Sequence, residues 1–270
     1  MELEDKQLYK KIEEFHFNNQ LYLYMSRKIV YNKFDIYLSD IIDDSYWNLA
    51  TNIKSKNIEE FISDSESISK IMNENNRTPV IYITNNSPIY KYKNIIDMKI
   101  LHNDVWLLLD KLDEFKNYKS KLDIEICIAS KETRNEFINA RYEGFSSDDP
   151  EDPYDNSDEG YREALEKSFD LKEGKDNIVH YFSKYNDNIV STATVVYSDD
   201  IAFIYNVTTN KKYKRNGICK EMMSYIVKKL KEIDIKYICL QTERGYYTEL
   251  VYKNMGFKEI FEGIAYSENK

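Results

Sequence analysis

Glycine is scarce in this chain, with seven in 270 residues and none before Gly144. Every position of the first half therefore carries a Cβ, and that half has no turn whose backbone can approach a phosphate closely. It is expected to bind no cofactor. Cysteine is rarer still. Cys127, Cys219 and Cys239 are odd in number and widely spaced, which argues against a disulfide framework and describes buried thiols in a reducing compartment. His16, His102 and His180 are isolated from one another and from the cysteines, so no metal is expected. Basic charge is also short: 38 Lys and Arg stand against 47 Asp and Glu, a formal net charge of -9. A general affinity for nucleic acid needs clustered cations and is not expected; a cationic partner remains open. No apolar run reaches the length of a membrane span, and the first residues lack a basic stretch followed by an apolar one. No membrane association and a cytoplasmic location are therefore expected.

What is present reads as mixed α/β. Residues 3–17 carry Leu3, Leu8, Ile12 and Phe15 among charges and predict a surface helix, followed by strand-like tracts at 21–31 and 34–38. Asn57 is a helix start, with Ile58, Phe61, Ile62, Ile68 and Ile71 on one face. Residues 78–84 and 100–109 predict buried strands. The lysine-rich stretch 112–121 marks a boundary between two domains, 1–119 and 120–270. Beyond it, 123–129 alternates as an outer strand would, and 131–145 has Phe137, Ile138, Tyr142 and Phe145 at helical intervals.

The stretch 201–230 organises the second half. A β-branched run at 201–209 gives way to a basic turn with one glycine, then to Met222, Met223, Ile226, Val227 and Leu230 at helical spacing. This predicts strand, turn and helix, and the bare amides and dipole of a helix start suit a phosphate. Downstream, 237–242 predicts a buried strand, 246–255 a helix that Gly256 ends as a left-handed cap, and 257–266 a last strand.

Two motifs in this region carry a resemblance. Lys214-x-x-Gly217-x-Cys219 resembles the Arg/Gln-x-x-Gly-x-Gly/Ala pyrophosphate loop of the GCN5-related N-acetyltransferases, and Tyr252-x-x-x-Gly256-Phe257 is similar to their Tyr-x-x-x-Gly-Phe motif. Lys214 stands where Arg or Gln is commoner, and Cys219 where a smaller residue is usual. The resemblance covers 120–270 in element order. It implies a GNAT acyl-CoA N-acyltransferase fold, acetyl-CoA (coenzyme A) as cofactor, and acetyl transfer to a primary amine, borne by a small molecule or a protein, by direct attack. Lys214, Arg215, Asn216, Gly217, Ile218, Cys219 and Lys220 would hold the phosphates, and Asn206, Val207 and Thr208 the pantetheine arm and carbonyl. Tyr252 is the candidate acid, because a phenol has an ordinary pKa of about 10 and can give a proton to a thiolate. Residues 201–209 contain no carboxylate, which leaves Glu243, or water leading to an acidic loop, as base. Residues 1–119 are similar, through Pro79-Val-Ile-Tyr82 and Val105-Trp106, to the degenerate domain that precedes the catalytic one in tandem members. Their expected role is to wall one side of the acceptor cleft.

That acidic loop runs from Ser146 to Glu159 with Asp148, Asp149, Glu151 and Asp152 and no basic residue. It lacks the hinge glycine and terminal glutamate of a calcium loop. A solvated loop is one reading; the other is a negative field that concentrates a cationic amine. Two further readings of the whole chain stay open: a non-catalytic acyl-CoA-binding module, and an interaction scaffold in which Gly217 and Gly256 are plain turn and cap.

Overall fold

The computed structural model of the protein describes residues 3–146, 159–170 and 177–269. They form two compact units. Unit 1 comprises Met1–Trp106, Gln241–Glu249 and Glu259–Lys270; unit 2 comprises Leu107–Leu240 and Leu250–Lys258.

In unit 1, helix α1 (Leu3–Gln20) buries Ile12, His16, Phe17 and Gln20 along one stripe. It runs three residues beyond the expected end at residue 17. The N–H groups of Leu23, Tyr24 and Met25 then all donate to the Gln20 carbonyl, and this turn replaces most of the strand expected at 21–31. The strands are β1 (Arg27–Val30), β2 (Asp35–Leu38), β3 (Leu49–Thr51), β4 (Ile81–Thr84), the greater part of β5 (Lys99–Leu109) and all but the first residue of β11 (Lys258–Ser267). β1, β2 and β3 pair antiparallel, β3 pairs parallel with β4, and β4 antiparallel with β11. Helix α2 (Ile58–Glu74) begins where Asn57 accepts the Glu60 N–H at 2.8 Å, a cap worth about 1 kcal/mol. It buries Phe61, Ile68 and Met72, while Ile62, expected on the same face, is exposed.

The compact units do not follow the linear division expected at 119/120. The last strand returns to unit 1, where Ile264 lies opposite Ile83, and Ile264 and Tyr266 join a core with Ile36, Leu38, Phe61 and Ile68. Burial of an alternating apolar face against β4 decides this strand's place, and sequence order does not.

Unit 2 contains β6 (Glu125–Ile128), α3 (Arg134–Phe145), α4 (Glu159–Asp170), β7 (Asn177–Tyr185), β8 (Asn188–Ser198), β9 (Ile201–Thr209), α5 (Ile218–Lys231), part of β10 (Tyr237–Glu243) and the end of α6 (Tyr247–Lys253). Its strands run in the order β10, β9, β8, β7, β6. β10 and β9 are parallel and the rest antiparallel, with β6 at the edge as its alternation predicts. The β7–β8 hairpin was not anticipated. Its turn, Asn186-Asp187, takes φ of 48° and 63° at its two central residues, the left-handed pair that a tight hairpin favours. On α5, the buried face holds Met222, Met223, Ile226, Val227 and Leu230, as its spacing predicts.

At the end of α6, the N–H groups of Met255 and Phe257 both return to the Tyr252 carbonyl, and Gly256 takes φ +103°. Gly256→Ala should cost unit 2 about 1 kcal/mol through backbone strain alone, read as a lower urea midpoint at unchanged slope.

Candidate functional site

The site begins with a mismatch between two strands. Thr192 of β8 pairs with Thr208, yet Thr194 pairs with Tyr205, so β9 carries one extra residue across this interval. The strand bulges there, and Asn206 takes the left-handed region at φ +53°. Side chains secure the bulge: Thr192 Oγ1 donates to the Asn206 carbonyl at 3.1 Å, and Asn206 Nδ2 donates to Thr194 Oγ1 at 3.1 Å. Behind Thr194 stands His180, its partner across β7 and β8. Ser168 Oγ gives its hydrogen to the Leu165 carbonyl at 2.6 Å and meets His180 Nε2 at 3.0 Å. His180 must therefore donate from Nε2, which leaves Nδ1 to accept the Thr194 hydroxyl at 2.9 Å. One directed chain thus runs from Asn206 through Thr194, His180 and Ser168 to the backbone of α4, with Phe169 stacked on the imidazole at 4.2 Å.

Thr208, next on the strand, is buried and its Oγ1 has no hydrogen bond. α3 packs close enough that a Cβ on Gly144 would lie 1.8 Å from that oxygen. This close approach, rather than a turn, requires the glycine.

β9 then leads into a basic turn. Asn210 accepts the Lys212 N–H at 3.1 Å and opens a single 3₁₀ turn, Lys211–Tyr213. Arg215 at φ 66° and Gly217 at φ 84° are both left-handed. Between residues 210 and 220 lie Lys211, Lys212, Lys214, Arg215 and Lys220 and no acid. The first bond of α5 is donated by Glu221 to the Gly217 carbonyl at 3.0 Å, so the amides of Ile218, Cys219 and Lys220 precede the helical ladder. A Cβ on Gly217 would lie 3.4 Å from Ser120 Cα, and the Asn216 carbonyl accepts the Lys121 N–H at 2.8 Å. The glycine thus serves its own left-handed turn and the packing of residues 119–121.

Glu221, the acid nearest the turn, is engaged elsewhere. Burial pushes its carboxyl up, but Lys119 and the Ser120 N–H at 2.9 Å outweigh burial and hold it below its ordinary range. Cys219 is the opposite case: burial pushes its thiol up to about 11, so it is neutral at pH 7 and a poor nucleophile.

The structure gathers Asn206, Val207, Thr208 and the series Lys214 to Lys220 into unit 2. Tyr252 lies there too, buried at the end of α6 with its ring centroid 6.0 Å from that of Phe257 in an edge-on contact. Glu243 falls instead in unit 1, half-buried, accepting a hydrogen bond from Tyr46 at 3.4 Å. Its carboxyl is pushed up by burial and by the charge of Asp104, against His102 and Tyr46. Asp148, Asp149, Glu151 and Asp152 lie outside the described residues. Sequence reasoning misses the residues that brace the bulge: the pairing of β7 with β8 brings His180 to Thr194, and the packing of α4 brings Ser168 to His180. With forward amides, a cationic turn and the buried Thr208 hydroxyl awaiting a partner, this part of unit 2 fits an elongated polyanion such as coenzyme A.

Thr194→Val keeps the shape of the side chain but removes the hydroxyl that accepts from Asn206 Nδ2 and donates to His180 Nδ1. It should destabilise unit 2 by about 1–3 kcal/mol in urea unfolding and displace the Asn206 amide resonance.

Comparison with known proteins places this geometry. Residues 136–257 match the profile of the Acetyltransferase (GNAT) family. No curated protein sequence matches the chain. Among solved structures, it is similar to a GCN5-related N-acetyltransferase from Kribbella flavida, with a TM-score of 0.65 and 14% identity over 90% of each chain. A functionally unknown conserved protein from Staphylococcus epidermidis ATCC 12228 gives a TM-score of 0.67 at 14% identity, covering 90% of this chain and 94% of that one. A tandem GNAT protein from the clavulanic acid biosynthesis pathway gives 0.57 at 8% identity, covering 86% and 77%. At such identities the likeness is one of fold. The chain thus carries an acetyltransferase (GNAT) family domain at residues 136–257 within a mixed α/β fold similar, over most of its length, to that of GCN5-related N-acetyltransferases.

Proposed function

We propose that the protein is an acyltransferase that moves an acetyl group from acetyl-CoA to a primary amine on a cationic acceptor, by direct attack. The observation that carries this reading is the succession, within one unit, of a bulged strand, a turn of cations without an acid, and a helix start with forward amides. Acetyl-CoA would supply the thioester carbonyl and the thiol that leaves. The Asn206 and Val207 backbone would polarise the carbonyl, each well-placed donor being worth roughly 3 kcal/mol. The amides of Ile218, Cys219 and Lys220, with Lys214, Arg215 and Asn216, would bind phosphate, and Thr208 Oγ1 the pantetheine arm. Tyr252 Oη would protonate the thiolate. Glu243 is proposed, on sequence alone, to accept the ammonium proton. The neutral thiol of Cys219 supports direct attack over an acyl-cysteine at that position. Asp148, Asp149, Glu151 and Asp152 are proposed, on sequence alone, to draw the acceptor in. Unit 1 is proposed to hold no cofactor.

A second reading, a non-catalytic acyl-CoA-binding module, draws support from the absence of any carboxylate on β9. Thermal unfolding with and without acetyl-CoA, followed by thiol release on adding a panel of amines, separates the two. A ligand bound to the native state alone at 100 times its Kd adds about 2.7 kcal/mol, so a raised midpoint is expected, with thiol released by cationic amines. A shift without release favours the binding module, and no shift refutes both.

The double variant Lys214→Glu/Lys220→Glu should abolish the shift without touching the core. It is a cleaner test than Gly217→Glu, whose side chain would start against the backbone of Ser120. Tyr252→Phe should keep the shift and lower kcat by about 100-fold; an unchanged kcat would remove Tyr252 as the acid.

A further inference from the structure

Unit 2 buries a cation for which the described residues supply no anion. Arg141 lies on α3, one turn before Gly144, and is 4% exposed. Neither Nε nor Nη1 makes a hydrogen bond, and among the described residues no carboxylate pairs with the side chain. What surrounds the guanidinium is aromatic. Its Cζ stands 5.2 Å from the ring centroid of Tyr142, 4.5 Å from that of Phe145 and 4.9 Å from that of Tyr161, which α4 contributes. Arg162 shows the ordinary alternative. It shares the Tyr142 ring at 4.9 Å, but its Nη1 donates to Asn139 at 3.1 Å and its Nε lies 3.4 Å from a carboxylate oxygen of Glu159.

The chemistry of a guanidinium makes the surroundings of Arg141 incomplete. Arginine keeps its charge in proteins, so it does not escape burial by changing protonation as a carboxyl or an imidazole can. Aromatic faces attract the cation through their quadrupoles. They do not satisfy its N–H groups, and a buried donor without an acceptor costs stability. A carboxylate supplies both things the rings lack, a negative charge and acceptor oxygens that match the planar guanidinium. The position of Arg141 gives this a use: α3 packs on β8 and β9, and Gly144, a neighbour of Arg141 on the helix surface, faces Thr208 Oγ1. The buried cation thus belongs to the helix that covers the bulged strand.

We propose that Arg141 is a specificity-determining residue that binds a carboxylate carried by the acceptor, so that the preferred acceptor is an amino acid: one primary ammonium group to be acetylated and one carboxylate to be held. This rests on the acyl-transfer reading of unit 2. Tyr142, Phe145 and Tyr161 fix the guanidinium among them, and the low polarity they create strengthens its attraction for a carboxylate. An amine of the same length without the carboxylate leaves Nε and Nη1 as they are in the free protein, and it gains nothing from them. Discrimination of this kind is large, because a site built to bond a polar group is left with buried unpaired donors when the group is missing.

Two measurements test this. The ¹⁵Nε resonance of Arg141 in the full chain, assigned by its loss in Arg141→Lys, is followed while lysine, ornithine and β-alanine are added, and then their decarboxylated counterparts cadaverine, putrescine and ethylamine. A shift with the amino acids and none with the amines is expected. A resonance that no amino acid moves overturns the proposal, and one moved only by succinyl-CoA overturns it by assigning the guanidinium to a carboxylate on the acyl donor. In thiol release from acetyl-CoA, the wild type should favour each amino acid over its amine by about 10-fold or more in kcat/KM, expressed in KM. Arg141→Met, whose side chain fills the same aromatic surroundings, should lower kcat/KM for the amino acids to the level of the amines. Arg141→Lys, which keeps the charge without the planar fork, should lose part of the preference and serves if Arg141→Met fails to fold. A preference absent from the wild type, or retained in the folded variants, overturns the proposal. If acetyl-CoA fails to raise the unfolding midpoint, the acyl-transfer reading is at fault and the assignment to an acceptor falls with it; a resonance that stays still while acetyl-CoA binds faults this proposal alone.

Discussion

Three residue steps of β9 must span what two steps of β8 span, and the shape of the candidate site in unit 2 follows from how that excess is held. A non-glycine residue in the left-handed region costs about 1–3 kcal/mol, and Asn206 at φ +53° is such a residue. Its amide bonds to Thr194, and the run through His180 and Ser168 to the Leu165 carbonyl hold it there. Along this chain Thr194, His180 and Ser168 each accept one hydrogen bond and donate the next, and the Leu165 carbonyl at its end sets the direction. The bulge is therefore braced from the helix behind it.

The turn after β9 works by a different principle. Its cations are on the surface, where single charges contribute little to stability, and their value lies in the field they create beside the forward amides of α5. Glu221 would oppose that field, but Lys119 and the Ser120 N–H engage its carboxylate. The segment 119–121, which composition marks only as a lysine-rich boundary, is in this way part of the site's support.

The two units share a device. In each, a glycine faces a polar side chain that needs the space of a Cβ: Gly144 before Thr208 in unit 2, and Gly263 before Tyr82 in unit 1. Neither glycine has a positive φ, so backbone freedom does not explain them. Close packing does. Tyr82 uses the space to reach Asp104, its hydroxyl donating to Oδ2 at 2.9 Å.

Local order was legible in the residues. The β-branched run of β9, the helical spacing of Met222 to Leu230, the cap at Asn57 and the left-handed stop at Gly256 each depend on neighbours within a few positions, and periodicity and turn chemistry report those directly. So did the two motifs that point to the GNAT family. Tertiary structure decided the rest. Only strand pairing sets His180 against Thr194, counts the extra residue in β9 and returns the last strand to the core of the first unit, and only helix packing brings Tyr161 of α4 to Arg141 of α3. These are contacts between residues far apart in sequence, fixed by which apolar faces are buried together, and burial is a property of the folded chain that no short window of residues contains.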